Sequence, residues 1–509
     1  MIARTLMIQG TASSVGKSIT VTALCRILRQ DGYSVAPFKA QNMALNSFVT
    51  AEGGEIGRSQ AIQAEAAGIQ PSVHMNPVLL KPQTDATSQV IVLGKAHMVS
   101  DATDYYRSNL KLLPVIEKSL ATLRNQYDIV IIEGAGSPAE VNLMDKEIAN
   151  MRIAELANAP VVLIGDIDRG GVFASIVGTM QLLPLKQRRL VKGFIINKFR
   201  GDITLLQPGL QFLEKRCRRP VLGVLPYMRA IGIAQEDSVF LDERHHINHR
   251  GRPDIAIIRL PHIANYDDFD PLETSCNVRY ISTVGELCNP DLIILPGSKS
   301  TINDVGFLHR SGVAINIIEQ ARAGTPVIGI CAGYQMLGRK ILDPCNAESK
   351  INEADGLGLL DMETVFESEK VTAQVKARVA AADAGLFKDM NGIDVIGYEI
   401  HMGKCVQQVD QPLFNVMSSN NSRIHYSEGA MNKSGTVAGT HIHGLFDNED
   451  FTRRLLHNLC SLRNIPQVEH AALSREKAYD ELALTFRQNL DMHKIYTIIT
   501  GGTHGREGL

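Results

Sequence analysis

The sequence has no excess of either charge, no paired-cysteine motif and no long apolar run. Its 52 basic and 54 acidic residues leave a formal charge of −2, which gives no electrostatic case for a nucleic acid or a membrane surface as partner. The eight cysteines, at 25, 217, 276, 288, 331, 345, 405 and 460, include no CxxC pair and no metal-ligand spacing. That usage fits a reduced cytosolic protein. No apolar stretch approaches the roughly 18 residues of a membrane span, and the N-terminus enters a strand-like run at once. A soluble cytoplasmic protein is expected. At 509 residues the chain is too long for one core, so two or more domains are expected.

What is present is an α/β pattern with two chemical signatures. Residues 5–9 (TLMIQ) read as a strand leading into Gly10-Thr11-Ala12-Ser13-Ser14-Val15-Gly16-Lys17-Ser18, and residues 19–29 follow with helical spacing. Strand, glycine-bearing loop, Gly-Lys-Ser and helix form a phosphate-binding loop. Its N–H groups cradle anionic oxygens, Lys17 supplies a point charge and Ser18 a Mg²⁺ ligand. Five residues rather than four separate Gly10 from Gly16, so Thr11 stands where the first glycine would. The switch-type partition ATPases carry an extra lysine where this chain has Ala12, which counts against that class.

Further strands are expected at residues 33–38, ending at Lys39, and at 128–132, ending at Glu133-Gly134-Ala135-Gly136. Others are expected at 160–165 and at 193–197, ending at Asn197. Alternating with helices, they predict a doubly wound parallel sheet. Glu133, at a strand's carboxyl end near the loop, stands where a second Mg²⁺ carboxylate belongs. Asn197 suits either a purine edge or an ordinary turn. Residues 39–89 are too polar and glycine-rich for plain core and read as a long functional loop or insertion for a large polar ligand. The order TASSVGKS, FKAQ, VIIEGAG, FIINK resembles the dethiobiotin-synthetase-like ATP-dependent ligases. That resemblance implies nucleotide, phosphate and Mg²⁺ roles for Lys17, Ser18, Lys39 and Glu133, and a purine contact for Asn197.

Residues 241–253 (LDERHHINHRGRP) are polar and end in Gly and Pro, which marks a linker at 244–253. Its His245, His246 and His249 lack Cys or acidic partners at ligand spacing and read as a solvated connector. A second α/β pattern follows, with strands expected at 254–260, 291–295 and 327–330, then at 364–366, 394–398 and 436–439. Cys331 stands between Gly329 and Gly333 on a sharp strand-to-helix turn, the geometry that presents a nucleophile. The following helix start favours its thiolate, and the Ala332 N–H points toward an oxyanion formed there. A second oxyanion donor is expected at Gly297, in the PGSKS turn. A cysteine nucleophile needs a histidine, and Gly439-Thr440-His441-Ile442-His443-Gly444 offers two on one strand face, between which spacing cannot choose.

PGS, GICAGYQML and HGLF resemble a class I glutamine amidotransferase domain of the cobyrinate/cobyric acid type. The resemblance selects His443. Most class I glutaminases continue His-Pro-Glu, and the Glu orients the imidazole. Here Gly444 and Leu445 follow, leaving Glu399, a backbone carbonyl or nothing in that role. The block GYEIHMG (397–403) is typical of the same branch and carries no evident chemistry.

Long blocks in order, from KAQNMALNSFVT and MNPVLLKPQTDATSQV through GDIDRGGVFAS to HGLFDN, resemble the glutamine-hydrolysing cobyric acid synthase family. The resemblance implies ATP and Mg²⁺ as cofactors, with adenosylcobyrinic acid a,c-diamide and L-glutamine as substrates. It implies amidation of the corrinoid b, d, e and g carboxylates through an acyl phosphate. An enclosed path is then expected for ammonia, which is mostly protonated at neutral pH. The same modules occur in cobyrinic acid a,c-diamide synthase and in CTP synthase. A nucleotide-dependent switch with an inactive glutaminase domain is the reading from a different class. The expected division is 1–243 ligase, 244–253 linker, 254–465 amidotransferase, and 466–509 a C-terminal helical segment with a flexible tail.

Overall fold

In the computed structural model of the chain, residues 2–83, 86–228, 232–233, 249–380, 384–407, 411–470 and 474–501 are described. His245 and His246, residues 244–248 of the expected linker and the tail 502–509 lie outside them. His249 donates its backbone N–H to Asn277, as a connector residue does.

The first sheet has six parallel strands, in the order Val221–Pro226, Val191–Phe199, Val161–Asp166, Arg4–Gly10, Ile129–Glu133 and Val35–Phe38. The strands are apolar in unbroken runs because helices cover both faces. The loop after the central Arg4–Gly10 strand, and the ends of its neighbours, converge at the carboxyl edge where ligands bind in such sheets. One face is closed by the helix Lys17–Gln30 and by a segment far away in sequence. Helices Arg475–Asn489 and Met492–Thr500 return to the first sheet, burying Leu482, Phe486, Leu490, Ile495 and Ile499 against Leu6, Ile8, Leu24 and Leu28. Arg26 anchors the return through Glu476 at 2.8 Å and Asp480 at 2.7 Å.

The second sheet runs Asn277–Ile281, Asp254–Ile258, Leu292–Leu295, Val327–Ile330, Val437–Thr440 and Ala430–Met431, all parallel except the last. Two of the later strand expectations fall outside it. Residues 364–366 and 394–398 belong to Met362–Val379 and Asp394–Gln407, a long antiparallel pair in a separate sheet that also takes in Ile442–His443. Their alternating burial, with one face to solvent, distinguishes them from the buried parallel strands.

The polar stretch 39–89 is folded rather than loop-like. It contributes Gln41–Met43 and Val78–Pro82 to a four-stranded sheet, the hairpin Ser47–Val49 with Glu55–Gly57, and the helix Arg58–Ala67. Its polar residues are buried because much of it lies against the second half. Lys81 and Lys370 both pair with Glu55, Thr372 donates to Gly53 O at 2.8 Å and Gln374 to Val49 O at 2.8 Å.

Candidate functional site

At the edge of the first sheet the phosphate loop wraps a cavity of about 720 Å³, within the range of small-molecule sites. Thr11, Gly16, Lys17, Ser18, Lys39 and Asn197 line it. Gly16 stands at φ 102°, and a Cβ there would come within 2.1 Å of the Asn197 amide nitrogen. Glycine is required on both counts. Asn197 Nδ2 donates to Val15 O at 2.8 Å and its Oδ1 accepts from Lys198 N, so this amide braces the loop from behind. Lys17 Nζ reaches Ala12 O at 2.9 Å and Gly136 O at 3.2 Å, across the loop mouth.

Glu133 is fully buried and gathers three donors: Ser18 Oγ at 2.8 Å, Lys39 Nζ at 2.9 Å and Gln63 Nε2 at 2.6 Å. Strand Ile129–Glu133 and helix Lys17–Gln30 place the carboxylate and the hydroxyl side by side. Two hard oxygen ligands beside a phosphate cradle fit Mg²⁺, and Lys39 balances the carboxylate charge. Gln63 escaped sequence reasoning, because only the docking of helix Arg58–Ala67 brings it to Glu133.

The second centre is small, about 50 Å³, lined by Cys331, Ala332, Gly297, Gln335 and His443 with Lys81, Lys299 and Lys370 at its wall. Cys331 holds φ 51° and ψ −109°, a strained conformation for a residue with a Cβ. The turn is that tight because helix Ala332–Leu337 packs directly on its neighbours. A Cβ at Gly333 would sit 1.9 Å from Leu295 O. Cys331 Sγ also contacts Ile400 O at 3.3 Å. Burial alone would raise the thiol. The charge and hydrogen bond of His443, the charge of His441 and the Ala332 N–H outweigh it, and the thiol lies below its ordinary range.

His443 Nδ1 contacts Asp268 Oδ2 at 2.6 Å, and Asp268 Oδ1 accepts the Gly444 N–H at 2.9 Å. Burial opposes charge on the imidazole, yet Asp268 and then Cys331 push it up to about 10 from 6.5. The arrangement sets a thiol shifted downward beside an imidazole shifted upward, with a carboxylate behind the ring. It can attack a carboxamide and return a proton to the departing nitrogen.

The acid that faces the His443 imidazole is thus Asp268, not a residue following the histidine. The Glu399 carboxylate instead accepts from Tyr426 Oη at 2.6 Å. Asp268 lies 175 residues before His443 and reaches it because Asn265, at φ 53°, turns the chain into the 3₁₀ segment Tyr266–Thr274. Nothing in the local pattern NYDDFDP marks it.

His441 is occupied elsewhere. Its Nδ1 lies 3.1 Å from Glu428 and its ring stacks on His401 at 3.9 Å. The GYEIHMG block also acquires work: Tyr398 stacks on His443 at 5.3 Å, while Ile400 and His401 contact Cys331 and His441.

Two family patterns match the chain. The CobQ/CobB/MinD/ParA nucleotide binding domain matches residues 6–239 and the CobB/CobQ-like glutamine amidotransferase domain residues 254–451. A cobyric acid synthase of Dehalococcoides mccartyi is 54% identical over 502 residues, covering 98% of this chain and 99% of the relative. That of Desulforamulus reducens is 47% identical over 504 residues, covering 98% of each. That of Clostridium botulinum is 48% identical over 500 residues, covering 97% of this chain and 99% of the relative. With both modules matched and these relatives aligned along nearly their whole length, the chain belongs to the cobyric acid synthase family of glutamine-dependent amidoligases.

Proposed function

We propose that this chain amidates the b, d, e and g carboxylates of adenosylcobyrinic acid a,c-diamide, with glutamine as nitrogen donor and ATP as activator. The observation that carries the reading is one chain holding both a phosphate loop and the Cys331–His443–Asp268 array.

In the ligase site a substrate carboxylate attacks the γ-phosphorus of ATP, giving an acyl phosphate and ADP. Lys17 and the loop N–H groups hold the phosphate oxygens, with Thr11, Gly16 and Asn197 shaping the cradle. Ser18 and Glu133 would hold Mg²⁺, which supplies charge neutralisation when bound. Lys39 keeps Glu133 balanced.

In the glutaminase site the Cys331 thiolate attacks the glutamine carboxamide. The N–H groups of Ala332 and Gly297 face the resulting oxyanion, and the His443 imidazolium protonates the departing ammonia. Neutral His443 then takes a proton from water, which cleaves the thioester to glutamate. Ammonia attacks the acyl phosphate and releases phosphate. Each amide formed consumes one ATP and one glutamine.

The ligase module is placed at residues 1–243, a linker at 244–253 and the amidotransferase at 254–465. Of the C-terminal segment 466–509, the helices Arg475–Asn489 and Met492–Thr500 are assigned to the ligase core on which they pack.

Mass spectrometry of adenosylcobyrinic acid a,c-diamide incubated with the protein, ATP, Mg²⁺ and glutamine tests the substrate. Stepwise conversion to the four-fold amide is expected. An unchanged corrinoid, with ATP and glutamine consumed on another carboxylate, would overturn the substrate while leaving the two-centre chemistry.

A further inference from the structure

Three side chains hold the His443 ring. Asp268 engages Nδ1, Tyr398 stacks on its face, and the Asn265 amide lies 3.4 Å from Nδ1. Asn265, Tyr398 and the turn that carries Asp268 are held in turn by the N-terminal half. Arg58 Nε meets Asp267 Oδ2 at 2.6 Å, next to Asp268 in the same 3₁₀ segment. Phe48 packs edge-on against Tyr398 at 5.4 Å, and the Arg58 guanidinium lies over the Phe48 ring at 5.4 Å. Ser47 donates its backbone N–H to Asn265 Oδ1 at 2.9 Å. All three come from residues 47–58, which carry no glutaminase signature.

We propose that Arg58 is a positioning residue of the glutaminase centre supplied across the domain boundary, with Ser47 and Phe48 completing the same brace. The proposal rests on Cys331 and His443 being the glutaminase pair. A carboxylate orients an imidazole only if it is itself held. A 3₁₀ turn has poor internal hydrogen bonding and needs outside support. Arg58 supplies more than a tether. Asp267 and Asp268 are adjacent and buried, and two like charges there disfavour one another. The Arg58–Asp267 side chains are only 7% and 3% exposed, so solvent does not screen the pair. Arg58 opposes the burial and like-charge penalty on Asp267 and ties down the turn that aims Asp268 at His443. Removing it leaves an unpaired buried acid whose relief is protonation or rotation of the turn.

The test uses the full chain and two readouts: glutamate release from glutamine, and ADP formation with ammonium chloride and adenosylcobyrinic acid a,c-diamide. Arg58→Gln is expected to lower kcat for glutamate release by about 10- to 100-fold, the scale of a small misplacement. KM for glutamine and ammonia-dependent ADP formation stay unchanged. Arg58→Lys recovers part of the loss. Asp267→Asn, on the other side of the pair, behaves like Arg58→Gln, and the double variant loses less than the product of the two. Equal loss of both activities in Arg58→Gln and Asp267→Asn, or no loss in either, would overturn the proposal. Cys331→Ser in the same assays separates the two readings. If that variant still releases glutamate, the Cys331–His443 assignment fails, whatever Arg58 does.

Discussion

Asp268→Asn preserves the shape of the residue behind His443 and removes its charge. Burial opposes a charged His443, and Asp268 followed by Cys331 more than offsets this, lifting the imidazole to about 10 from 6.5. That rise corresponds to roughly 5 kcal/mol at about 1.4 kcal/mol per tenfold. If Asp268 carries about half, its loss weakens the thiolate–imidazolium pair by roughly 2–3 kcal/mol, on the order of 100-fold in kcat for glutamate release. The sign with pH follows. His443 is raised, so its favourable charged state is complete below its ordinary value and is lost as pH rises through about 10. In Asp268→Asn the alkaline limb of glutamate release therefore moves to lower pH. The assay is a pH series of glutamate release, with ammonia-dependent ADP formation as control. An unchanged alkaline limb and unchanged kcat would refute the argument, because the carboxylate would then contribute nothing to the imidazolium.

Other consequences are equally direct. Cys331→Ser should abolish glutamine-dependent amidation and leave amidation with added ammonia, as read by product mass. Gly297→Ala would put a methyl 3.2 Å from His443 Cε1 and should lower glutamate release while sparing the ammonia reaction. Glu133→Ala should stop amidation with either glutamine or ammonia as nitrogen source. It also removes the buried carboxylate that Lys39 pairs with at 2.9 Å, lowering stability, which a thermal melt would detect. Phe486→Ala, in the returning C-terminal helix, should destabilise the ligase core by about 3–5 kcal/mol, visible as a lower denaturation midpoint.

Both candidate centres were legible as local patterns. The Gly16-Lys17-Ser18 loop and the Cys331 elbow are built from consecutive residues whose backbone geometry is their function, so spacing along the chain carries the information. Glu133 was readable for a related reason: strand ends in a parallel sheet converge on one edge, and the order of strands suffices. The choice between His441 and His443 needed family resemblance, since on a strand both share a face. In the fold, His443 shares the small pocket of Cys331 with Asp268 behind its ring, while Glu428 and the His401 ring hold its neighbour.

By itself the sequence determined two α/β modules and the local turns that carry Lys17 and Cys331, because periodicity and tight turns are local properties. Only the tertiary structure decided what stands behind those residues. Asp268, 175 residues from its histidine, Gln63 on Glu133, the Arg58 brace and the return of Phe486 to the first core are all contacts between distant segments. A polar residue in a run such as KAQNMALNSFVT carries no mark of whether it will face a ligand or another domain. That is set by which surfaces exclude water when the two halves pack, and packing is a property of the whole chain.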